Sequence, residues 1–356
     1  MGQRTLARAS VLIFLAAAAL AENPLPRKLY PATPKAGKAG YIDMSGSMVI
    51  SPRFDYAGPF SEGYAFAVER GKCVLLDARG KSRSVKLGVN RELGCDAGHF
   101  SEGLAPAKGP GGWGFVDPKG RFVIPGQYEQ VESFSEGLAA ASRDGKWGYL
   151  DRTGKEMIPL SFEYARPFSE GLASVVLKGD AGYIGRDGKP AIKPRFARAE
   201  RFSQGLAAVR GGGLWGYLDR GGKLAIDPKF ESAFPFSEGL ALVLSKGKLG
   251  FIDKTGKWAI PAQFDVETRG FSEGLAAVKK DGSWGFIDRR GSSVIQRQYL
   301  FAGDFLGGLA LVTLPGERFA YIDRNGKTVW KSEEGAAADP PPAAKGPDDG
   351  PPDEKD

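Results

Sequence analysis

The chain has 356 residues and a formal net charge of +7, and 42% of its residues are hydrophobic. This apolar content is ordinary for a folded protein and excludes a chain that is disordered throughout. Glycine is abundant, at 51 residues, but much of it recurs at fixed positions where tight turns need positive φ.

Residues 1–21 have the pattern of a secretory signal peptide. Arg4 and Arg8 precede an apolar stretch from Val11 to Leu20. Ala19-Leu20-Ala21 then provides a small-residue cleavage site. We expect cleavage after Ala21, export to the periplasm or the extracellular space, and no transmembrane segment in the mature chain. A retained N-terminal anchor is the alternative, although the stretch is shorter than the about 20 residues that span a membrane.

The motif Phe-Ser-Glu-Gly, or a close variant, returns at nearly constant intervals. The copies begin at Phe60, Phe100, Phe134, Phe168, Phe202, Phe236, Phe271 and Phe305. A fixed period predicts a repeat architecture, in which each unit buries its apolar face against its neighbours. We assign residues 22–36 to a linker and 37–330 to about eight β-hairpin repeats of 34 residues. Residues 331–356 have the composition of a disordered tail rich in proline and acids.

Each repeat is predicted to contain three or four short strands. In the copy that begins at Phe202, apolar runs at 206–210, 214–219 and 224–226 are separated by breaks rich in glycine. No segment shows the 3.6-residue apolar period over helical length. The fold class is therefore predicted to be all-β, with helix nearly absent.

An aspartate stands three residues before a glycine after the second run of each repeat. The positions are Asp43, Asp77, Asp117, Asp151, Asp219, Asp253, Asp288 and Asp323, and Gly185 replaces the aspartate in a ninth copy. Aspartate accepts hydrogen bonds from its own turn, and glycine takes the left-handed position. Because the Gly185 hairpin is otherwise intact, we interpret the aspartates as turn-forming and not as catalytic.

Four of the six tryptophans precede a glycine at one repeat position. They are Trp113, Trp147, Trp215 and Trp284. Other copies carry alanine, leucine or phenylalanine there, which a packing site tolerates better than a ligand site. We predict packing between repeats, and the alternative is an exposed ladder that stacks on sugars.

Two segments carry a family resemblance. Residues 146–151 read Lys-Trp-Gly-Tyr-Leu-Asp and residues 283–288 read Ser-Trp-Gly-Phe-Ile-Asp. The chain resembles the WG-repeat (KWG-repeat) family of bacterial β-repeat proteins over about residues 37 to 330. The resemblance implies a β-rich array, often exported or joined to other modules. It implies no reaction, cofactor or catalytic residue.

The ends of the array favour an open arrangement. Both ends contain the same hairpin, whereas a closed propeller usually completes one blade from complementary halves. Propeller blades also tend to be longer, at about 40–45 residues. We therefore expect an open stack or superhelix, with a closed β-propeller as the alternative.

Cys73, Cys95 and the single histidine, His99, share the one repeat of 40 residues. An exported pair of cysteines tends to form a disulfide, and two separately buried thiols are the alternative. One histidine cannot build a multi-histidine metal site. We predict no metal, no cofactor and no catalytic group.

Charge and repetition together suggest a binding function. Arg4 and Arg8 bring +2 and the tail brings −5, which leaves +10 on residues 22–330. Such a body attracts anionic polymers, although the simpler explanation is that its cations keep strand edges soluble. We predict a non-enzymatic binding or scaffold protein whose partner is an envelope protein or an anionic polymer. A carbohydrate-binding module for glycans is the alternative, and nucleic acid is not the expected partner.

Overall fold

The computed structural model describes residues 28–35, 37–90 and 94–333. The predicted signal peptide, 1–21, and nearly all of the predicted tail lie outside the described residues. In the described part of the chain every regular element is a β-strand. No helix long and apolar enough to cross a membrane occurs there.

The strands form nine consecutive antiparallel sheets, which we call blades 1 to 9. A complete blade has four strands, called a, b, c and d in chain order, and each pairs with the next. Blade 1 contains b, c and d at Tyr30–Lys35, Lys38–Ile42 and Met48–Phe54; blade 2 contains Tyr56–Ala57, Tyr64–Glu69, Lys72–Asp77 and Ser82–Ser84; blade 3 contains Ala105–Gly109, Gly112–Val116 and Phe122–Tyr128. An extra hairpin of Val89–Asn90 and Gly94–Cys95 precedes blade 3, whose strand a is reduced to the single bridge between Ala97 and Ala107.

The remaining six blades are complete. Blade 4 contains Gln130–Val131, Ala139–Arg143, Lys146–Leu150 and Glu156–Phe162; blade 5 contains Tyr164–Ala165, Leu172–Leu177, Asp180–Gly185 and Pro190–Phe196; blade 6 contains Arg198–Ala199, Leu206–Gly211, Leu214–Asp219 and Leu224–Phe230. Blade 7 contains Ser232–Ser237, Leu240–Ser245, Lys248–Asp253 and Trp258–Phe264; blade 8 contains Phe271–Ser272, Leu275–Lys280, Ser283–Ile287 and Ser293–Tyr299; blade 9 contains Phe301–Ala302, Ala310–Leu314, Arg318–Ile322 and Thr328–Lys331.

The blades close into a ring, so the expected open stack is wrong. The Tyr30 hydroxyl in blade 1 donates a hydrogen bond of 2.6 Å to the Gly307 carbonyl in blade 9. The Glu333 amide, which follows blade 9, donates one of 2.8 Å to the Pro34 carbonyl in blade 1. Tyr30, Ala32, Ile42, Leu309 and Tyr321 form one buried cluster across this junction. The chain is a nine-bladed β-propeller.

Two features of the chain explain why a closed ring was not predicted from the sequence. In the part of the chain that the structure describes, blade 9 is complete, and blade 1 lacks strand a. The Glu333 amide, which follows blade 9, bonds to strand b of blade 1 in the way that the Asp55 amide bonds to Val68 in strand b of blade 2, so both ends of the array contribute to blade 1. Tyr30–Lys35, within the predicted linker, is strand b of blade 1, and the propeller therefore starts before the predicted boundary at Gly37.

A period of 34 residues suffices for a blade because the inner part of the repeat is compressed. Strand a is two residues long in most blades, and a single residue often separates it from the preceding strand d. Glu163, for example, is the only residue between Phe162, which ends blade 4, and Tyr164, which begins blade 5.

The core lies between blades, because each sheet packs both faces on its neighbours. Between blades 4 and 5, Tyr149 and Ile158 of one blade meet Ala165, Val175 and Ile184 of the next. Both faces of strands b and c are therefore apolar. This explains the nearly continuous apolar runs in the sequence.

The glycine after the repeated tryptophan lies in close contact with the backbone of strand d. In blade 4, Trp147 pairs with Phe162 and Tyr149 with Ile158, so strand d spans twice as many residues as strand c there and bulges. A Cβ atom on Gly148 would lie 2.5 Å from the Ile158 carbonyl oxygen. In blade 2, where Val74 replaces this glycine, strand d pairs without a bulge.

Candidate functional site

The ring has two different ends. Because consecutive strands are antiparallel, the turns joining a to b and c to d lie at one end, which we call the top face. The hairpin turns joining b to c lie at the opposite end, which we call the bottom face. The two motifs found in the sequence, Phe-Ser-Glu-Gly and Asp-x-x-Gly, both lie on the top face.

The Phe-Ser-Glu-Gly motif is the turn from strand a to strand b. In blade 4, Glu136 and Gly137 have φ of 54° and 79°, and Ser135 and Leu138 exchange backbone hydrogen bonds around them. Two consecutive residues with positive φ make a turn suited to tight hairpins. Glu136 thus adopts the left-handed backbone conformation, which is uncommon for a residue other than glycine, and its side chain points towards the next blade.

The serine and the glutamate of this turn both bond to the following blade. The Ser135 hydroxyl donates a hydrogen bond of 2.7 Å to the Phe168 carbonyl. The Glu136 carboxylate accepts the Gly171 amide at 3.1 Å. The Phe168 ring packs on Tyr149 with centroids 4.8 Å apart. The motif is therefore a latch between consecutive blades.

The latch is repeated from blade 2 to blade 9. Hydroxyl-to-carbonyl bonds of 2.6–2.8 Å join Ser61 to Phe100, Ser101 to Phe134, Ser135 to Phe168, Ser169 to Phe202, Ser203 to Phe236, Ser237 to Phe271 and Ser272 to Phe305. Glu62, Glu102, Glu136, Glu170, Gln204, Glu238 and Glu273 each accept a backbone amide of the next turn. Equivalent points on neighbouring blades are closest near the axis of a ring, so these turns frame the mouth of the central channel.

The latch changes at the junction of blades 9 and 1. Leu306 and Gly307 stand in the serine and glutamate positions, and the leucine side chain is 60% exposed. Because Leu306 has no hydroxyl, the hydrogen bond across this junction is a different one: the Tyr30 hydroxyl of blade 1 donates to the Gly307 carbonyl of blade 9. The junction thus uses different residues from those within the array.

The predicted turn-forming aspartates lie in the turns from strand c to strand d. Asp151 Oδ1 accepts hydrogen bonds from the Thr153 hydroxyl and from the Thr153 and Lys155 amides, and these contacts lower the pKa of Asp151. The same pair of amide contacts, two and four residues on, is made by Asp117, Asp219, Asp253, Asp288 and Asp323. These carboxylates hold their own turns.

The type of residue that follows the turn aspartate, or Gly185 in blade 5, differs between two groups of blades. Six consecutive blades, 4 to 9, carry an exposed cation there, which we call the basic arc: Arg152, Arg186, Arg220, Lys254, Arg289 and Arg324. Blades 1 to 3 carry Met44, Ala78 and Pro118 instead. Sequence analysis missed the arc, although aligning the nine turns would have revealed it.

Each cation of the basic arc reaches the latch of the preceding blade. The guanidinium groups of Arg186 and Arg324 donate to the carbonyl oxygens of Glu136 and Glu273. The Lys254 ammonium donates to the Gln204 carbonyl at 2.7 Å. The cations therefore lie beside the channel mouth.

The repeated tryptophans lie between blades. Trp147 is 6% exposed and Trp284 is 3% exposed, while Trp113 and Trp215 are half-buried against the same kind of cluster. The Trp147 ring meets Tyr164 of the next blade at 5.3 Å between centroids. Buried rings cannot stack on a sugar, so Trp147 and Trp284 do not support the glycan alternative.

A disulfide joins blade 2 to the segment leading into blade 3. Cys73 and Cys95 are bonded, with Cα atoms 5.6 Å apart. Cys73 stands where other blades carry the packing tryptophan, so the disulfide takes the place of an aromatic contact between blades. His99, four residues beyond Cys95, is exposed, and partial desolvation of its imidazole lowers its pKa.

The segments that follow strand a carry charged side chains that sequence analysis missed. At one repeat position, directly after strand a, lie Glu132, Arg166 and Glu200 of blades 4, 5 and 6. Arg166 and Glu200 form an ion pair of 2.9 Å. Burial raises the pKa of Glu132, and Arg166 opposes this shift. Among the described residues, no group of three or more acids, histidines and cysteines is arranged to hold a metal ion.

The fold and the repeated contacts define a β-propeller of short repeats. The sequence profile of the WG-containing repeat matches residues 40–73, 113–147, 147–179, 182–215, 215–248, 250–284 and 284–314. These segments cover more than half of the chain, and the chain therefore belongs to the WG-containing repeat family. The resemblance found in the sequence is confirmed.

Several solved structures are similar to this chain at low sequence identity. A eukaryotic initiation factor is 12% identical, with a TM-score of 0.64, 87% of this chain covered and 96% of the other. The computationally designed Ika8 protein is 12% identical, with a TM-score of 0.48 and coverage of 71% and 90%. BamB from Moraxella catarrhalis is 14% identical, with a TM-score of 0.44 and coverage of 85% and 90%. No curated protein sequence matches the chain.

Proposed function

We propose that this propeller is a non-enzymatic scaffold that binds another protein through its top face. The basic arc is the observation that supports the proposal. The turns of Asp43, Asp77 and Asp117 form without a cation at the next position, so the turn itself does not require one. Six consecutive cations are therefore a property that the fold does not demand, on an exposed face beside the channel mouth.

The proposed location is outside the cytoplasm, in the periplasm or the extracellular space. The signal-peptide pattern of residues 1–21 supports export. The bond between Cys73 and Cys95 is of the kind that persists in oxidising compartments.

Site-specific crosslinking in intact cells tests the proposed function. A photo-crosslinking amino acid replaces Thr255, an exposed residue on the top face, or Lys146, an exposed residue on the bottom face. We expect a discrete protein adduct from position 255 and a weaker one or none from position 146. The captured protein, once purified, is expected to bind the purified full chain. Absence of an adduct at 255, or equal capture from both faces, would contradict the proposal.

A further inference from the structure

We infer that the basic arc binds an extended acidic segment of a partner protein in which the acidic residues are spaced and not contiguous. The inference rests on the proposed function and adds the chemistry of the partner. Arginine predominates in the arc, and its planar group pairs with carboxylates through two parallel hydrogen bonds. An extended segment can follow the curved row of turns from one blade to the next.

The charges around the arc favour a partner with discrete acids. Each cation of the arc lies beside a latch residue of the preceding blade, and most of these are glutamates, such as Glu136 beside Arg186 and Glu273 beside Arg324. A uniformly charged polymer would place anions against these carboxylates as well as against the cations. A polypeptide can place a carboxylate at each cation and an uncharged residue between them. The alternation therefore disfavours a continuous polyanion.

At the centre of the arc, the positive charge is least compensated by neighbouring carboxylates. Gln204 is the only latch residue from blade 2 to blade 8 that is not a glutamate, and it faces Lys254. Lys254 is therefore the only cation of the arc whose latch partner carries no negative charge. Arg220 and Arg289, on the two adjacent blades, flank it. We expect the acidic segment to make its strongest contacts here.

The carboxylates of this face are also less available than the cations. Each latch glutamate accepts a backbone amide of the next blade, and the turn aspartates accept amides of their own turns. The cations of the arc also donate hydrogen bonds to latch carbonyls, but their side chains are more exposed, as shown by 52% for Arg186 against 31% for Glu136. An approaching segment therefore meets the cations first, although carboxylates lie beside them.

Matched neutralisations separate this inference from a general charge effect. The first variant combines Arg220→Gln, Lys254→Gln and Arg289→Gln on the top face. Its control combines Lys72→Gln, Lys108→Gln and Lys146→Gln on the bottom face, with the same change in net charge. A second variant, Gln204→Glu, adds the missing acid beside Lys254. Thermal unfolding of each purified chain shows whether the fold is retained, and Arg220→Lys with Arg289→Lys preserves the charge if the first variant unfolds.

The probes are three synthetic anions. They are a peptide with aspartate at every third position, a peptide of the same composition with its aspartates in one block, and inorganic polyphosphate. We expect the spaced peptide to bind the natural chain most tightly, to lose affinity at least about tenfold with the top-face variant, equivalent to about 1.4 kcal/mol, and to be unaffected by the control. Gln204→Glu is expected to weaken binding several-fold.

The outcomes distinguish the two proposals. Tighter binding of the block peptide or of polyphosphate, or equal losses from the two neutralised variants, overturns the inference. If the protein captured at position 255 still binds the folded top-face variant, the inference fails and the proposed function stands. If position 255 captures nothing, the proposed function itself fails.

Discussion

The Tyr321 hydroxyl in blade 9 donates a hydrogen bond of 2.9 Å to the Pro31 carbonyl in blade 1. Within the array, a tyrosine at the same position bonds to the residue that follows strand a of the next blade, as Tyr149 does to the Arg166 carbonyl at 2.8 Å. At the junction the acceptor is in strand b. The ring therefore closes with a modified form of the contact that Tyr41, Tyr149, Tyr183 and Tyr217 make between consecutive blades.

Loss of one latch hydroxyl is expected to lower stability modestly. Ser135→Ala leaves the Phe168 carbonyl without its hydroxyl donor, which costs about 1 kcal/mol of unfolding free energy. Ser161→Ala, on the exposed strand d of the same blade, is the control and should change little. Urea denaturation of both variants provides the comparison. Equal effects would show that the latch does not stabilise the ring.

The two kinds of tryptophan should behave differently. Trp147→Ala empties a buried site between blades 4 and 5 and should cost about 3–5 kcal/mol. Trp258 is 42% exposed on strand d of blade 7, so Trp258→Ala should cost much less. Thermal unfolding measures both. A small, equal loss from the two variants would contradict packing as the role of Trp147.

A methyl group at the repeated glycine should disrupt the bulge of strand d. In Gly148→Ala the new Cβ would lie 2.5 Å from the Ile158 carbonyl oxygen, and the backbone must move, at a cost of about 1–3 kcal/mol. Gly270 is a suitable control, because nothing lies within 4 Å of a Cβ added there. Denaturation curves are expected to show a loss for Gly148→Ala alone. Indistinguishable curves would contradict the close approach.

The disulfide should be a measurable source of stability. It links residues 22 apart in sequence, and the chain-entropy estimate for such a loop is about 3 kcal/mol. The double variant Cys73→Ala with Cys95→Ala should unfold at a lower temperature and should not respond to reductant. Thiol titration of the natural chain in denaturant without reductant should detect no free thiol. Two reactive thiols would contradict the bond.

The contribution of the turn aspartates to folding stability is expected to depend on pH. The Thr153 hydroxyl and the turn amides lower the pKa of Asp151 in the folded chain. Its contribution is therefore present above the unfolded pKa of about 3.9 and is lost as the pH falls through the folded value. The difference in melting temperature between the natural chain and Asp151→Ala should be largest near neutral pH and shrink at low pH. A difference that grows on acidification would contradict this assignment.

Much of one repeat could be predicted from the sequence, because the signals are local. The turn aspartates, the glycines with positive φ and the apolar runs act within a few residues of each other. The role of Ser135 and Glu136 could not be predicted in this way, because their partners lie in the following repeat. Closure depends on Tyr30 and Gly307, which are far apart in the chain and do not follow the repeat pattern.

The basic arc shows a different limit of the sequence. Each cation looks like an ordinary turn residue when one repeat is considered alone. Its restriction to consecutive blades becomes meaningful only when the ring places the nine turns side by side. The apolar and neutral residues Met44, Ala78 and Pro118 are informative for the same reason, since they occupy the equivalent positions on the other blades.

Distances between spin labels test ring closure most directly. Labels at Ser45 and Asn325 lie at the same turn position of blades 1 and 9, and labels at Thr153 and Asp187 lie at that position of the adjacent blades 4 and 5. A closed ring predicts that pulsed electron paramagnetic resonance gives the two pairs similar, short and narrow distance distributions. A much longer distance for the pair at 45 and 325 would contradict the closed propeller.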